Sequence, residues 1–134
     1  MTIKNALPEI TRVNEAISEY GEDEGIPVAV LMQLNLVFDE LLNNVISYAY
    51  TDEDEHTIEI QAEVSEGELV VRIEDDGVPF NPFEETAEVD TTLSLEERQI
   101  GGLGVHLVKN VMDSVGYERA DDRNVVTLKK AFEV

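Results

Sequence analysis

The chain has 134 residues, 43% of them apolar, with 30 acidic against 9 basic side chains and a formal net charge of −21. That length and apolar share specify one folded domain with a real core. The charge excludes the basic surface by which DNA, RNA or an anionic membrane is held, so neither nucleic acid nor membrane is an expected partner.

Residues 1–6 read as a short first strand. From Pro8 onward Ile10, Val13, Ile17 and Tyr20 recur at helical spacing, and proline suits a first turn. Gly21 and the acidic run to Gly25 are expected to end that helix, and Pro27 opens a long one reaching about Tyr50. Ile58, Ile60, Ala62 and Val64 alternate, then Leu69, Val71 and Ile73, with Glu66-Gly67 as the hairpin turn between them. Residues 77–100 lose all period, and a segment of that length reads as a functional lid over about 78–100. Helical spacing resumes in Val105, Val108, Val111, Met112 and Val115. Two strands near 116–119 and 125–132 then flank an Asp121-Asp122-Arg123-Asn124 turn. The order predicts a single-domain α/β (α+β) two-layer sandwich over 1–134, with a mixed, mainly antiparallel sheet and helices on one face. The absence of cysteine removes disulfides and thiolate metal sites and is compatible with a cytoplasmic location. No basic segment leads into an apolar run, and no apolar stretch nears ~18 residues, so neither signal peptide nor membrane span is expected.

Three short segments carry chemistry. On the long helix, Val30, Leu31, Leu34, Phe38, Leu41, Leu42, Val45 and Ala49 share one wide apolar face. Gln33, Glu40, Asn44 and Ser47 form a narrow polar stripe between Leu36 and Val37, and Asn35, Asp39 and Asn43 form the solvated face. A polar stripe hemmed by apolar neighbours suits a helix that lines a cleft, although a surface i, i+4 pair has the same spacing. In the cleft reading Asn44 offers a carboxamide oxygen to Mg²⁺, and Glu40, one turn earlier, can take a proton from an attacking hydroxyl.

Asp75 ends an apolar strand, where a carboxylate wants a donor such as the exocyclic amine of adenine, and Gly77 beside it lets backbone approach a flat ring. An ordinary Asp-Asp-Gly turn has the same composition. Gly101-Gly102-Leu103-Gly104 ahead of a helix offers free N–H groups to phosphate, without the Lys-Ser or Lys-Thr of a phosphate loop; a hinge before a helix looks alike. His56 and His106 pair with no nucleophile by spacing and are read as solvent or packing residues. Tyr48 and Tyr50 are read as core or cleft-wall aromatics.

Together, Glu40-x-x-x-Asn44, Asp75-x-Gly77 and Gly102-Leu103-Gly104 resemble the N, G1 and G2 boxes of the GHKL (Bergerat-fold) ATPases. The whole chain is similar to the small bacterial anti-sigma-factor serine/threonine kinases, above all in residues 101–113 and 124–128. The resemblance implies ATP and Mg²⁺ as cofactors, Glu40 as general base and Asn44 as metal ligand. It also implies Asp75 on the adenine amine with Thr127 nearby through water, Gly77 beside the base, and Gly102, Leu103 and Gly104 closing on the phosphates. Its implied partners are a STAS-domain anti-anti-sigma protein that is phosphorylated, a sigma factor that is sequestered, and a second copy in a homodimer. Pro79 stands in place of the second glycine common in the G1 box, and Ile100 replaces the first glycine of the fuller G2 form. Arg98 is the lid's only cation, which implies modest ATP affinity and strong metal dependence. The competing readings are an ATP/ADP-binding switch without phosphoryl transfer, a sensor ATPase domain and an acidic scaffold. No phosphoacceptor helix pair is recognisable ahead of the first strand, which disfavours the sensor.

Overall fold

The computed structural model describes residues 1–83 and 107–133. Strand β1 (Thr2–Lys4) leads into helices α1 (Glu9–Asp23) and α2 (Val28–Tyr48), followed by the hairpin β2 (Thr57–Ser65) and β3 (Glu68–Asp75). Residues 107–111 are helical, and β4 (Ser114–Ala120) and β5 (Arg123–Ala131) close the chain. The sheet order is β1-β2-β3-β5-β4. The expected two-layer sandwich holds, and all four described pairings are antiparallel, so the mixed character is absent among the described residues.

Both hairpins turn on two residues of positive φ, the geometry that matches the right-handed twist of the flanking strands. Glu66 and Gly67 have φ of 52° and 75°, and Asp121 and Asp122 have 52° and 61°. The second turn is therefore Asp121-Asp122 alone; Arg123 and Asn124 already belong to β5. Side chains alternate across the strands. Ile58, Ile60, Val71, Ile73, Val126 and Leu128 thus form one buried face under the helices, while Glu59, Gln61 and Arg72 face outward.

Gly21 does not end α1. It is buried inside the helix, where a Cβ would strike Leu31 of α2. The helix stops at Gly25 (φ 83°), with Ile26 N–H donating to Gly21 O at 2.8 Å and Gly25 N–H to Glu22 O at 3.2 Å. This pair of bonds is the Schellman closure that a left-handed glycine permits. Helix α2 is long and apolar enough to cross a membrane by length and composition, contrary to expectation. Its Leu34, Val37, Phe38 and Leu42 are fully buried, however, and form the centre of the core. The face bearing Asn35 and Asp39 is not simply solvated either. Asn14 of α1 donates to Asp39 at 2.8 Å and Asn35 is half-buried. Val115, expected on a helix, lies in β4 and pairs with Leu128 of β5.

Candidate nucleotide site

Asp75 closes β3 on the buried face of the sheet and is only 2% exposed. In register it lies between Ile58 of β2 and Asn124 of β5. Two donors reach its Oδ1: the Gly77 N–H at 2.9 Å and the Asn124 side-chain amide at 2.8 Å. Burial pushes its pKa above the ordinary carboxylate range, and the charge of Asp76 adds to that. The bonds from Asn124 and Gly77 and the nearby Arg119 pull the other way. A buried carboxylate with its bonds gathered on one oxygen is suited to receive a donor on the other.

The segment after Asp75 is fastened to the end of α2. Val78 N–H donates to Ala49 O at 2.7 Å, and a Cβ on Gly77 would strike that same carbonyl oxygen. The rings of Tyr48 and Phe80 meet at 5.9 Å between centroids. Tyr48 lies one turn beyond Asn44, so Glu40, Asn44 and Tyr48 form one stripe that ends on this segment. Tyr48 is exposed and belongs to the wall of that stripe rather than to the core. Glu40 and Asn44 are both half-buried, and Glu40 makes no ion pair with any described residue. Phe80 and Phe83 are buried in the core while Val78 and Pro79 are exposed, so the segment expected to begin the lid is anchored through its two phenylalanines.

A family model of the histidine kinase-like ATPase domain matches residues 3–130. The chain belongs to the histidine kinase-like ATPase family. It is 32% identical to the serine/threonine-protein kinase BtrW of Bordetella bronchiseptica over 95 residues, which are 71% of this chain and 66% of that relative, just under two thirds of its length. Over 128 residues it is 26% identical to the serine-protein kinase RsbW of Listeria monocytogenes, covering 92% of this chain and 82% of the other. Among solved structures, one from the SiaB-SiaC complex of Pseudomonas aeruginosa shares the fold. Its TM-score is 0.59 at 17% identity, over 98% of this chain and 89% of that one.

Within this ATPase domain, Glu40 and Asn44 lie on the C-terminal half of α2, and Gly77, bonded to Asp75, meets the end of that helix at Ala49. Thr127 does not join them. It pairs with Arg72, an odd number of residues from the Asp75–Asn124 pair, so the pleat turns it to the opposite face of the sheet. Asn124, read from sequence as a turn residue, occupies the place beside Asp75 instead. The alternation Asn124, Val126, Leu128 continues the buried face and is the signal that finds it. Gly101, Gly102, Leu103, Gly104, Ile100, Arg98 and His106 lie outside the described residues, as does the lid from residue 84 onward. The described cavities do not coincide with this site. A groove of about 600 Å³ lies between α1 and α2 beside Asn14, Asn35 and Asp39, and one of about 400 Å³ lies beside Tyr50 and the acidic residues 52–55. The chemistry points to Asp75 rather than to either groove.

His56 serves packing. Its ring stacks on Tyr50 at 4.7 Å between centroids, with Asp52 at 2.8 Å and Asp76 at 3.4 Å on opposite nitrogens. The bond to Asp52 raises its pKa. Tyr50 is half-buried, with its hydroxyl enclosed, and its pKa is raised chiefly by that burial and by the charge of Asp75.

The residues present fit a magnesium nucleotide. No group of three His, Asp or Glu side chains among the described residues could cage a metal alone. Mg²⁺ is commonly held by one or two protein oxygens together with phosphates, and the half-buried Asn44 carboxamide is a donor of that kind. The contact of Gly77 with Ala49 carries its own prediction. Gly77→Ala must push the segment 77–80 off α2 and is expected to cost about 1–3 kcal/mol of stability, measured by urea denaturation; an unchanged midpoint would contradict the packing described.

Proposed function

We propose that this domain is an ATP-dependent protein serine/threonine kinase of the anti-sigma type. Its substrate in this reading is a STAS-domain anti-anti-sigma protein in the cytoplasm, and the phosphorylated form loses its hold while a sigma factor stays sequestered. The reading takes the kinase as a homodimer. The observation that carries it is the fastening of the Asp75–Phe80 segment to the end of α2, on the stripe that holds Glu40 and Asn44. That arrangement offers a base acceptor and a phosphate-side pair to one elongated ligand. The names of the kinase relatives point the same way.

Bound ATP would supply the γ-phosphoryl group, with Mg²⁺ offsetting the charge of its phosphates. Asp75 would accept the hydrogen bond of the adenine amine, with Gly77 bordering the ring. Asn44 would hold the metal through its carboxamide oxygen. Glu40, one turn away, would orient the substrate hydroxyl and take its proton as the hydroxyl oxygen bonds to the γ-phosphorus and the bond to ADP, the leaving group, breaks. Gly102, Leu103 and Gly104 are assigned to the phosphates through their backbone N–H groups. The protein's net negative charge makes this site depend on metal and backbone rather than on the general field.

Incubation with Mg-ATP and the STAS-domain partner, followed by phosphopeptide mapping, tests the reading. Phosphoserine or phosphothreonine on the partner is expected. Nucleotide-dependent binding with no transfer would assign the protein as a switch without turnover. For the metal role, Asn44→Ala is expected to abolish most of the gain in ATP affinity that Mg²⁺ brings, about tenfold on the scale of one charge-assisted contact. Superimposable Mg²⁺ titrations of the variant and the parent would refute it.

A further inference from the structure

The carboxamide of Asn124 is 1% exposed and its hydrogen-bonding capacity is spent. Its Nδ2 donates to Asp75 Oδ1 and to Val78 O, each at 2.8 Å. Its Oδ1 accepts from Phe80 N–H at 3.1 Å, from the Tyr117 hydroxyl at 2.6 Å and from the Arg119 guanidinium at 3.2 Å. Arg119 also donates to Gly77 O at 2.8 Å. One side chain thus ties β3, β4 and the segment 77–80 together. The pattern requires asparagine: two acceptors face its nitrogen and three donors face its oxygen, so serine lacks a donor and aspartate lacks both. With every polar position occupied, Asn124 has nothing left for a ligand and can act on one only through Asp75.

We propose that Asn124 is the positioning residue for adenine: it holds Oδ1 of Asp75 so that Oδ2 is presented to the exocyclic amine of a 6-aminopurine, and it latches residues 77–80 beside that carboxylate. This rests on the reading of Asp75 as the adenine acceptor. The groups facing the Asp75 carboxyl are Asp76 from its own strand end, Arg119 from β4 and Tyr50 beyond α2. Asp76 disfavours the ionised form and Arg119 favours it. The Asn124 amide is the strongest influence keeping the carboxylate ionised against burial.

The test compares ATP with purine riboside 5′-triphosphate, which lacks the 6-amine, in titrations from pH 5 to pH 8. The parent protein is expected to prefer ATP by about tenfold or more, on the scale of one hydrogen bond to a charged group. Asn124→Ser is expected to remove most of that preference, weakening ATP binding more than binding of the amine-free analogue. Its ATP affinity is also expected to fall off at a higher pH than the parent's, because Asp75 has lost a donor that favours its charge. Equal weakening of both nucleotides, or parallel pH curves, would reduce Asn124 to a folding residue and overturn the proposal. Should the serine variant fail to fold in a thermal melt, the isosteric Asn124→Asp serves. It keeps the packing, sets a carboxylate against Asp75, and is expected to lose the same preference; retention of it overturns the proposal. Asp75→Asn is measured alongside. If that variant keeps the preference for ATP, the adenine reading itself is wrong and the inference falls with it. If Asp75→Asn loses the preference and the Asn124 variants keep it, the inference fails alone.

Discussion

Glu40→Ala is expected to leave ATP affinity unchanged and to slow phosphoryl transfer to the protein partner by about 10²–10⁴-fold, the usual contribution of a positioned general base. Glu40 sits one turn before Asn44 on α2 and is half-buried. It is engaged by no described cation, so its carboxylate is free to accept a proton. The helix around it is held by its buried residues, Val37, Phe38, Leu41 and Leu42. Removing the side chain should therefore disturb neither fold nor nucleotide. Single-turnover transfer and equilibrium ATP binding separate the two effects. Transfer at the parent rate would show that the base is elsewhere or that none is used.

Asp75→Asn should have two opposite effects. ATP affinity should fall by about 10–100-fold, because the amine of adenine loses a charged acceptor, while the ligand-free protein should melt at a higher temperature. The second effect follows from burial. The folded pKa of Asp75 is raised, so the folded protein binds this proton more readily than the unfolded chain. Stability from that group is greatest below the unfolded carboxylate value and is lost as pH rises through the folded value. At neutral pH the ionised Asp75 is therefore a cost of folding. A neutral carboxamide removes that cost and can still accept from Gly77 N–H and Asn124. The gain in Tm should be present at pH 7 and vanish as pH falls below the carboxylate range. A variant that binds ATP normally, or that is less stable at pH 7 than the parent, would contradict this account of the site.

Much of the fold was legible in the chain because the strongest patterns were local. The α2 stripe and the Glu66-Gly67 turn depend on periods of 3.6 and 2 and on one glycine of positive φ. Asp75, Gly77, Glu40 and Asn44 stand out as candidates by their order along those elements. What escaped was set by register or by contact between elements. Gly21 looked like a helix stop, yet its role is to let Leu31 approach. Val115 continued a helical spacing, but the antiparallel pairing of Val115 with Leu128 claimed it for β4. Asn124, and not Thr127, lies beside Asp75 for the same reason. With Asp121-Asp122 as the whole turn, the pleat puts Asn124 beside Asp75 and Thr127 behind the sheet. A polar residue at a buried strand position, in phase with Val126 and Leu128, is the clue that composition alone conceals.

A crystal structure of the protein with Mg²⁺ and a non-hydrolysable ATP analogue bears most directly on the account. The expected result is a purine whose exocyclic amine lies within hydrogen-bonding distance of the Asp75 carboxylate, with the phosphates and the metal at Asn44 and the terminal phosphoryl group beside Glu40. A nucleotide seated in the groove between α1 and α2, or against residues 52–55, with Asp75 untouched, would contradict it.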